Sequence, residues 1–267
     1  MKKSDLQEQI ESARAYEDLF IPALFGEWAP RVLKAAKVQA GDAILDVACG
    51  TGILARQAII RTGVEGKVAG IDPGSGMIAV AGEIEDRVDW REGVAEAIPF
   101  PDESFDVVVS QFGMMFFTDR SKAIQEMHRV MTPGGRMAVL VWSGLDKNPA
   151  YAAEVELLET YAGSAAADAL RAPYVLGDEQ ALVSLFEQSG VSSPKLSFLK
   201  GRANFPSIRT MVEADLRGWL PVMGVNLAED TISKVLEEAE TALSSYSNSK
   251  GRAVFDVSAL LVTSTKS

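Results

Sequence analysis

Two hydropathy rhythms alternate along the first half of the chain. Ala43–Val47, Lys67–Asp72 and Phe105–Gln111 are short, nearly unbroken apolar runs, the pattern of strands buried on both faces of a parallel sheet. Residues 87–91 and 136–142 read as further strands. Between them, 53–61 and 119–131 place apolar residues at helical spacing, the first stopped by Gly63. Strands separated by helices in this way predict an α/β fold around a parallel sheet.

Beyond Trp142 the alternation loosens. Pro149–Tyr161 and 178–188 read as helices, 195–200 as a strand and 252–262 as a last strand. The connection 205–250 is far longer than a typical loop of about five residues. It carries Ile232, Val235, Leu236 and Ala239 at helical spacing, so we read it as a helical insertion forming part of a lid. The Ser-rich 244–249 reads as a loop. At the start, Leu6, Ile10, Ala13 and Phe20 predict a helical cover that Pro22 and Pro30 interrupt. No clean linker or repeat divides the chain. We therefore expect one domain over 1–267: an N-terminal cover (1–37), a core (38–142), and candidate cap segments at 143–177 and 205–250.

The chemistry concentrates where the first strand meets the first core helix, at Asp46-Val47-Ala48-Cys49-Gly50-Thr51-Gly52. Gly50 and Gly52 let backbone approach a ligand closely, and the N–H groups of the helix start favour polar or negative ligand groups. Asp72 ends the next strand, about twenty residues on, where an acid suits the two hydroxyls of a ribose. Two carboxylates thus stand at the carboxyl ends of neighbouring strands, the usual ligand edge of an open α/β sheet. The spacing Gly50-x-Gly52-x-x-Ala55 also satisfies the dinucleotide fingerprint, which leaves an NAD(P)-dependent oxidoreductase open. Asp46 discriminates: a carboxylate in the turn repels a pyrophosphate and attracts a ligand bearing an ammonium and a sulfonium. S-adenosylmethionine carries both.

These residues resemble the class I S-adenosylmethionine-dependent methyltransferases, and among them the type 11 group related to ubiquinone and menaquinone biosynthesis methyltransferases. The likeness runs from about Tyr16 to Trp142. It rests on the Asp46–Gly52 turn, Gly70-Ile71-Asp72-Pro73, Glu96-Ala97-Ile98-Pro99-Phe100, Ser104-Phe105-Asp106-Val107-Val108 and Met131-Thr132-Pro133-Gly134-Gly135. The resemblance implies a Rossmann-like, seven-stranded, mostly parallel sheet ordered 3-2-1-4-5-7-6, with the last strand antiparallel, helices on both faces and helical cap segments. It also implies S-adenosyl-L-methionine as cofactor. Asp46, Ala48, Gly50, Thr51 and Gly52 would lie along its methionine part, Asp72 and Pro73 at the ribose, and Met77 near the adenine. An acid usually precedes Glu96 in this family; here that place is Val94, so adenine recognition would rest on apolar contact and the Ala95 backbone. Gln111 matches a position near the methionine moiety and the substrate mouth. Phe25 and Trp28 would roof the cofactor.

Charge and composition narrow the partners. The formal net charge is −11, which leaves no basic footprint for nucleic-acid phosphates. No apolar run approaches the roughly twenty residues a membrane span needs, so we expect a cytoplasmic protein acting on a small-molecule methyl acceptor. One Cys and one His argue against an internal disulfide and against a soft-ligand metal site. His128 reads as structural or solvated, Cys49 as a small core residue, and Glu96 as a carboxylate at a helix N-terminus. Phe112, Met114, Met115, Phe116 and Phe117 read either as core or as the apolar wall of a substrate pocket. Tyr246-x-x-x-Lys250 matches the dehydrogenase Tyr/Lys spacing, but its place just before the last strand makes that a coincidence. No catalytic base is assigned. Tyr16, Tyr151, Asp215, Arg217 and Trp219 are candidate acceptor contacts that spacing does not place. The expected activity is in-line methyl transfer to a small apolar or aromatic molecule. A protein that binds the cofactor without turnover is the remaining alternative, and neither the acceptor nor the oligomeric state is fixed by the sequence.

Overall fold

A computed structural model describes residues 3–267, with side chains from Leu6 onward; Met1 and Lys2 of the expected N-terminal cover lie outside the described residues. Helix α1 (Lys3–Phe20) runs into a π-helical turn (Ile21–Phe25) and then α2 (Ala29–Ala35). Pro22 and Pro30 lie in the first turns of these last two segments. A missing N–H costs nothing where Pro30 opens α2, while Pro22 falls where α1 gives way to the π-helical turn, the place at which an interruption was expected.

The core alternates as its hydropathy requires: β1 (Ala43–Val47), α3 (Ile53–Thr62), β2 (Lys67–Asp72), α4 (Ser75–Ile84), β3 (Asp89–Glu92), β4 (Phe105–Gln111), α5 (Arg120–Val130) and β5 (Met131–Trp142). The second half holds α6 (Pro149–Tyr161), α7 (Ser164–Arg171), α8 (Glu179–Gln188) and β6 (Lys195–Phe205). It continues with α9 (Ile208–Ala214), a π-helical turn (Asp215–Trp219), α10 (Leu220–Val222), α11 (Glu229–Ala242) and β7 (Ala253–Thr265). The seven strands form one sheet in the order β3-β2-β1-β4-β5-β7-β6. β7 runs antiparallel to both neighbours and the remaining core pairings are parallel. The expected topology is the observed one.

Several boundaries differ for identifiable reasons. Asp119 and Asp178 stand just outside α5 and α8, accepting from the N–H of Lys122 and Ala181 respectively; they are N-caps that satisfy otherwise orphaned donors. β5 starts at Met131, pairs with Phe105, and shifts register before Arg136 meets Val107. Gly134, at φ +76°, takes the left-handed turn this irregularity needs. β6 and β7 pair from Lys195↔Thr263 to Phe205↔Ala253, beyond the apolar stretch that signals a strand, because β6 is an edge strand with many exposed positions. α7 was not expected from the sequence, although its alanines favour a helix.

Two contacts set the stage for the ligand edge. Gly76 lies against the backbone of α1, where a Cβ would sit 2.4 Å from the Gln9 carbonyl oxygen, so α1 crosses α4 at backbone contact. At the far end of β5, Asn148 donates to the Gly144 carbonyl and accepts from the Ser258 N–H, while Ser143 and Ser258 hydroxyls meet at 2.5 Å. This buried network pins the start of α6 to the end of β5 and the middle of β7. No described helix is long and apolar enough to cross a membrane.

Gly76→Ala is expected to push α1 off α4, costing about 1–3 kcal/mol as other overpacking changes do. Urea denaturation should show the lower midpoint, and limited proteolysis should cleave within α1 sooner than in the wild type.

Candidate cofactor and active site

The turn after β1 is built from unusual backbone. Ala48, Gly50 and Gly52 all have positive φ, at 58°, 55° and 89°, the last forming the N-cap of α3. Glycine relieves the strain at two of the three. A Cβ on Gly52 would lie 2.3 Å from the Trp90 ring, and one on Gly70 would meet the same ring at 2.4 Å. Trp90 therefore fills the space under the turn, its indole N–H donating to the Glu85 carbonyl. Cys49 is buried beside it, a packed thiol as expected.

The two acids differ in how they are satisfied. Asp46 is 1% exposed; its Oδ2 accepts from the Ala55 N–H at 3.1 Å, while Oδ1 is buried with no partner. Desolvation, opposed by that one hydrogen bond and reinforced by the nearby Asp72, pushes its pKa well above the ordinary value. An acceptor left unpaired in this way costs about 1–3 kcal/mol. Asp72 accepts from Gly50 N–H at 2.9 Å and from Gly74 N–H at 2.8 Å, one on each oxygen. Each oxygen keeps a second lone pair for a ribose hydroxyl. Burial also raises the Asp72 pKa, with the two backbone donors pulling the other way.

α1 closes over this turn. Tyr16 stands 3.9 Å from where a Gly50 Cβ would be and stacks on Phe20 and Phe25. Burial and the Asp72, Glu17 and Asp46 charges raise its phenol pKa. One residue on, Glu17 accepts from Arg56 and from the Thr51 hydroxyl, at 2.6 and 2.5 Å, and Arg56 also donates to the Thr51 carbonyl. The charge of Arg56 is thereby spent on Glu17, leaving the turn acidic. Sequence reasoning missed this tie and the role of Trp90; Gly70 inside a strand was the available sign of a close approach.

Gln111, at the end of β4, donates through Nε2 to the Phe25 carbonyl, while its Oε1 is buried without a partner. Two unpaired acceptors, Asp46 Oδ1 and Gln111 Oε1, thus accompany the glycine turn, with no unpaired cation among the residues described above. Such a donor-poor, acidic set suits a cationic ligand and opposes a diphosphate. The methyltransferase domain family model matches residues 45–139, the stretch carrying this geometry. That stretch is similar to a methyltransferase domain.

Known proteins extend the comparison. The chain is 34% identical over 152 residues to a ubiquinone/menaquinone biosynthesis C-methyltransferase of Hahella chejuensis, covering 53% of this chain and 61% of that protein. It is 38% identical over 140 residues to the Stenotrophomonas maltophilia protein of the same name, covering 49% and 55%. The chain thus spans little more than half the length of these curated relatives. Among solved structures, YcgJ of Bacillus subtilis aligns with TM-score 0.57 at 19% identity, over 90% of this chain and 98% of that one. Phosphoethanolamine N-methyltransferase 2 of Haemonchus contortus, solved with S-adenosyl-L-methionine, aligns with TM-score 0.58 at 17% identity, over 95% and 56%. These two likenesses describe the fold.

Within the matched stretch, the loop after β3 is clamped from α5. Glu126 accepts from the Ile98 N–H, and Arg129 donates to the Ile98 and Phe100 carbonyls. Glu96 accepts from Thr118 and Asp119 N–H groups at 2.7 and 3.1 Å, so it serves the approach to α5, in keeping with its reading as a helix-start carboxylate. This leaves Val94 44% exposed and Ala95 buried. Pro73 is exposed and Met77 half-buried on the first turn of α4.

The aromatic cluster after β4 divides. Phe112, Met114 and Met115 are buried core, while Phe116 is 45% exposed and lies 5.0 Å, ring to ring, from Trp219. Phe112, at φ 57°, stacks on Trp142 at 3.9 Å. Trp28 is wholly buried, edge-on to both; it props the site from within the core, and Phe25 with Tyr16 forms the face toward the turn. Tyr246 packs on Phe255, in the segment leading to β7. His128, half-buried on α5, has a lowered pKa from burial and the Lys266 charge. Arg217 is held by Glu213 and Glu229 on the surface.

The raised Asp46 pKa gives a signed pH prediction. The folded state binds the Asp46 proton more tightly than the unfolded chain does, so stability falls as pH rises from about 3.8 through the higher folded value. Asp46→Asn should remove this part of the slope, leaving the ligand-free variant at least as stable as the wild type at pH 7. Urea denaturation of both proteins across pH 4 to 8 measures the difference.

Proposed function

We propose that the chain is an S-adenosylmethionine-dependent methyltransferase acting on a small apolar or aromatic acceptor. The observation that carries this reading is the buried, unpartnered Asp46 oxygen inside a strained glycine turn. An ammonium supplies the missing donor, and a phosphate cannot. In this reading Asp46 and Gln111 take the amino-acid end of the cofactor with Ala48, Gly50, Thr51 and Gly52 beside it. Asp72, with Pro73 adjacent, takes the ribose, and Met77, Val94 and Ala95 bound the adenine.

The sulfonium supplies an already activated methyl group. The contribution of the protein is to align acceptor and methyl carbon, worth several kcal/mol of the barrier through proximity and orientation, and to exclude water. Tyr16 and Phe25 stand on the turn side of this space, and the helical segments 143–177 and 205–250 cap it. The names of the curated relatives suggest a quinone-type carbon acceptor. The family model ends at residue 139, before those cap segments begin, so the acceptor is an open choice for the part of the chain that differs.

Thermal shift should show stabilisation by S-adenosylhomocysteine and none by NADH; the reverse would move the chain to the dinucleotide enzymes. Asp46→Asn and Asp72→Asn should each weaken S-adenosylhomocysteine binding at least tenfold, about 1.4 kcal/mol. A labelled methyl donor offered with quinones, phenols and amines reads turnover directly. Cofactor binding with no transfer to any of them would favour a binding protein without activity.

A further inference from the structure

β6 ends the sheet, and its one strand neighbour is β7. From Lys195 to Lys200 it has no buried residue: Lys195, Ser197, Phe198 and Lys200 are exposed, and Leu196 and Leu199 are half-buried. Successive residues of an antiparallel strand turn their N–H and C=O groups to alternate sides, so every second residue of β6 faces away from β7. Two observations fix which ones. Ser258, opposite Lys200, turns its N–H to Asn148 and its C=O to Ser143, on the side of β5, so it shares no ladder bond with Lys200. The Arg202 N–H donates to the Glu27 carboxylate rather than to β7. The register runs without a shift from Lys195 to Phe205, so Leu196 and Phe198 also face outward. Among the described residues nothing pairs with the outward N–H and C=O groups of Leu196, Phe198 and Lys200.

Both ends of this open stretch are closed. At one end Glu27 occupies the Arg202 donor and lies with Trp28 where a Cβ on Gly201 would stand. At the other, Pro194 is the next outward position and has no N–H to offer. Free backbone groups beside an apolar side chain invite another strand, and exposed edges are ordinarily blunted for that reason. Here the blunting stands at the two ends and leaves a window centred on Phe198, which is 42% exposed.

That window matches itself. A two-fold axis at Phe198 lays a second β6 antiparallel beside the first. Leu196 then faces the partner's Lys200, Phe198 faces the partner's Phe198, and every free N–H and C=O of the window is paired. Moving the axis to Ser197 sets Lys200 against Pro194, which lacks a donor. Moving it to Leu199 sets Leu196 against the occupied Arg202, and an axis at Lys200 opposes that lysine to itself. With the axis at Phe198, Lys195 faces Gly201 and no like charges stand opposite each other. We propose that β6 is a self-complementary interface at which two copies of this chain join their sheets edge to edge, centred on Phe198. Three strands lie between β6 and β1, so the pairing leaves the Asp46 turn free and is independent of the methyltransferase reading.

Sedimentation equilibrium on the full chain tests the proposal, in about 0.3 M salt to screen the acidic charge of each copy. A short strand pairing makes a small interface, so the wild type should be mostly dimeric at about 200 μM rather than at nanomolar concentration. Lys200→Pro removes an outward donor that β7 does not use, and Phe198→Lys opposes a charge to itself across the axis. Each should weaken dimerisation at least tenfold. Phe198→Cys reads the register: residues paired in this way stand about 5.5 Å apart at Cα, within reach of a disulfide, so mild oxidation should link two chains. Arg202→Cys, roughly 27 Å from its counterpart in this register, should not link, and the native Cys49 is buried. A wild type that is mostly monomeric at that concentration overturns the proposal, whether or not it captures an extended peptide. So does a dimer that survives both Lys200→Pro and Phe198→Lys, or a disulfide that forms equally through Arg202→Cys. Should Lys200→Pro not fold, Phe198→Lys and the disulfide decide.

Discussion

One carboxylate oxygen governs the ligand edge of this protein. Asp46 is placed by β1, at the centre of the sheet, with no freedom to turn toward water, and the fold gives it a single backbone donor. Everything around it follows the same economy of positive charge. Asp72 is occupied by the Gly50 and Gly74 amides, which tie the β1 and β2 ends together. Arg56 is diverted onto Glu17 and so fastens α1 across the turn. The turn is thus covered and short of one donor, and no group of the chain offsets the cost of that buried acceptor.

The core was legible because its physics is local. Strands flanked on both sides by other strands must be apolar at nearly every position, so β1, β2 and β4 have the limits that hydropathy assigns. The Asp46 turn was legible for a related reason: positive φ at Gly50 and Gly52 leaves a mark in composition. Asp119 and Asp178 were read as helical residues and are caps, a distinction of one position that depends on backbone angles.

What escaped the sequence depends on long-range contact. β6 needs β7 as a template along its whole length, and its own residues carry little apolar signal. Trp28 and Phe25 lie close together in sequence, yet one is sealed in the core and the other lines the site, because the π-helical turn sets their relative rotation. Phe112 and Phe116 part in the same way. Glu154 gave no hint at all: an acid on a helix reads as solvent-facing, and here it is wholly buried. Asp215 was noticed as a residue type and could not be assigned a neighbour.

The rung at which Phe205 faces Ala253 joins the last residue of β6 to the first of β7. The chain leaves the sheet and re-enters it at a single point, so all of α9 to α11 hangs from what is topologically an oversized hairpin bend. Closing such a bend grows only logarithmically harder with its length. That stretch can therefore be lengthened, trimmed or exchanged without disturbing the register of any strand or the Asp46 turn on the far side of the sheet order.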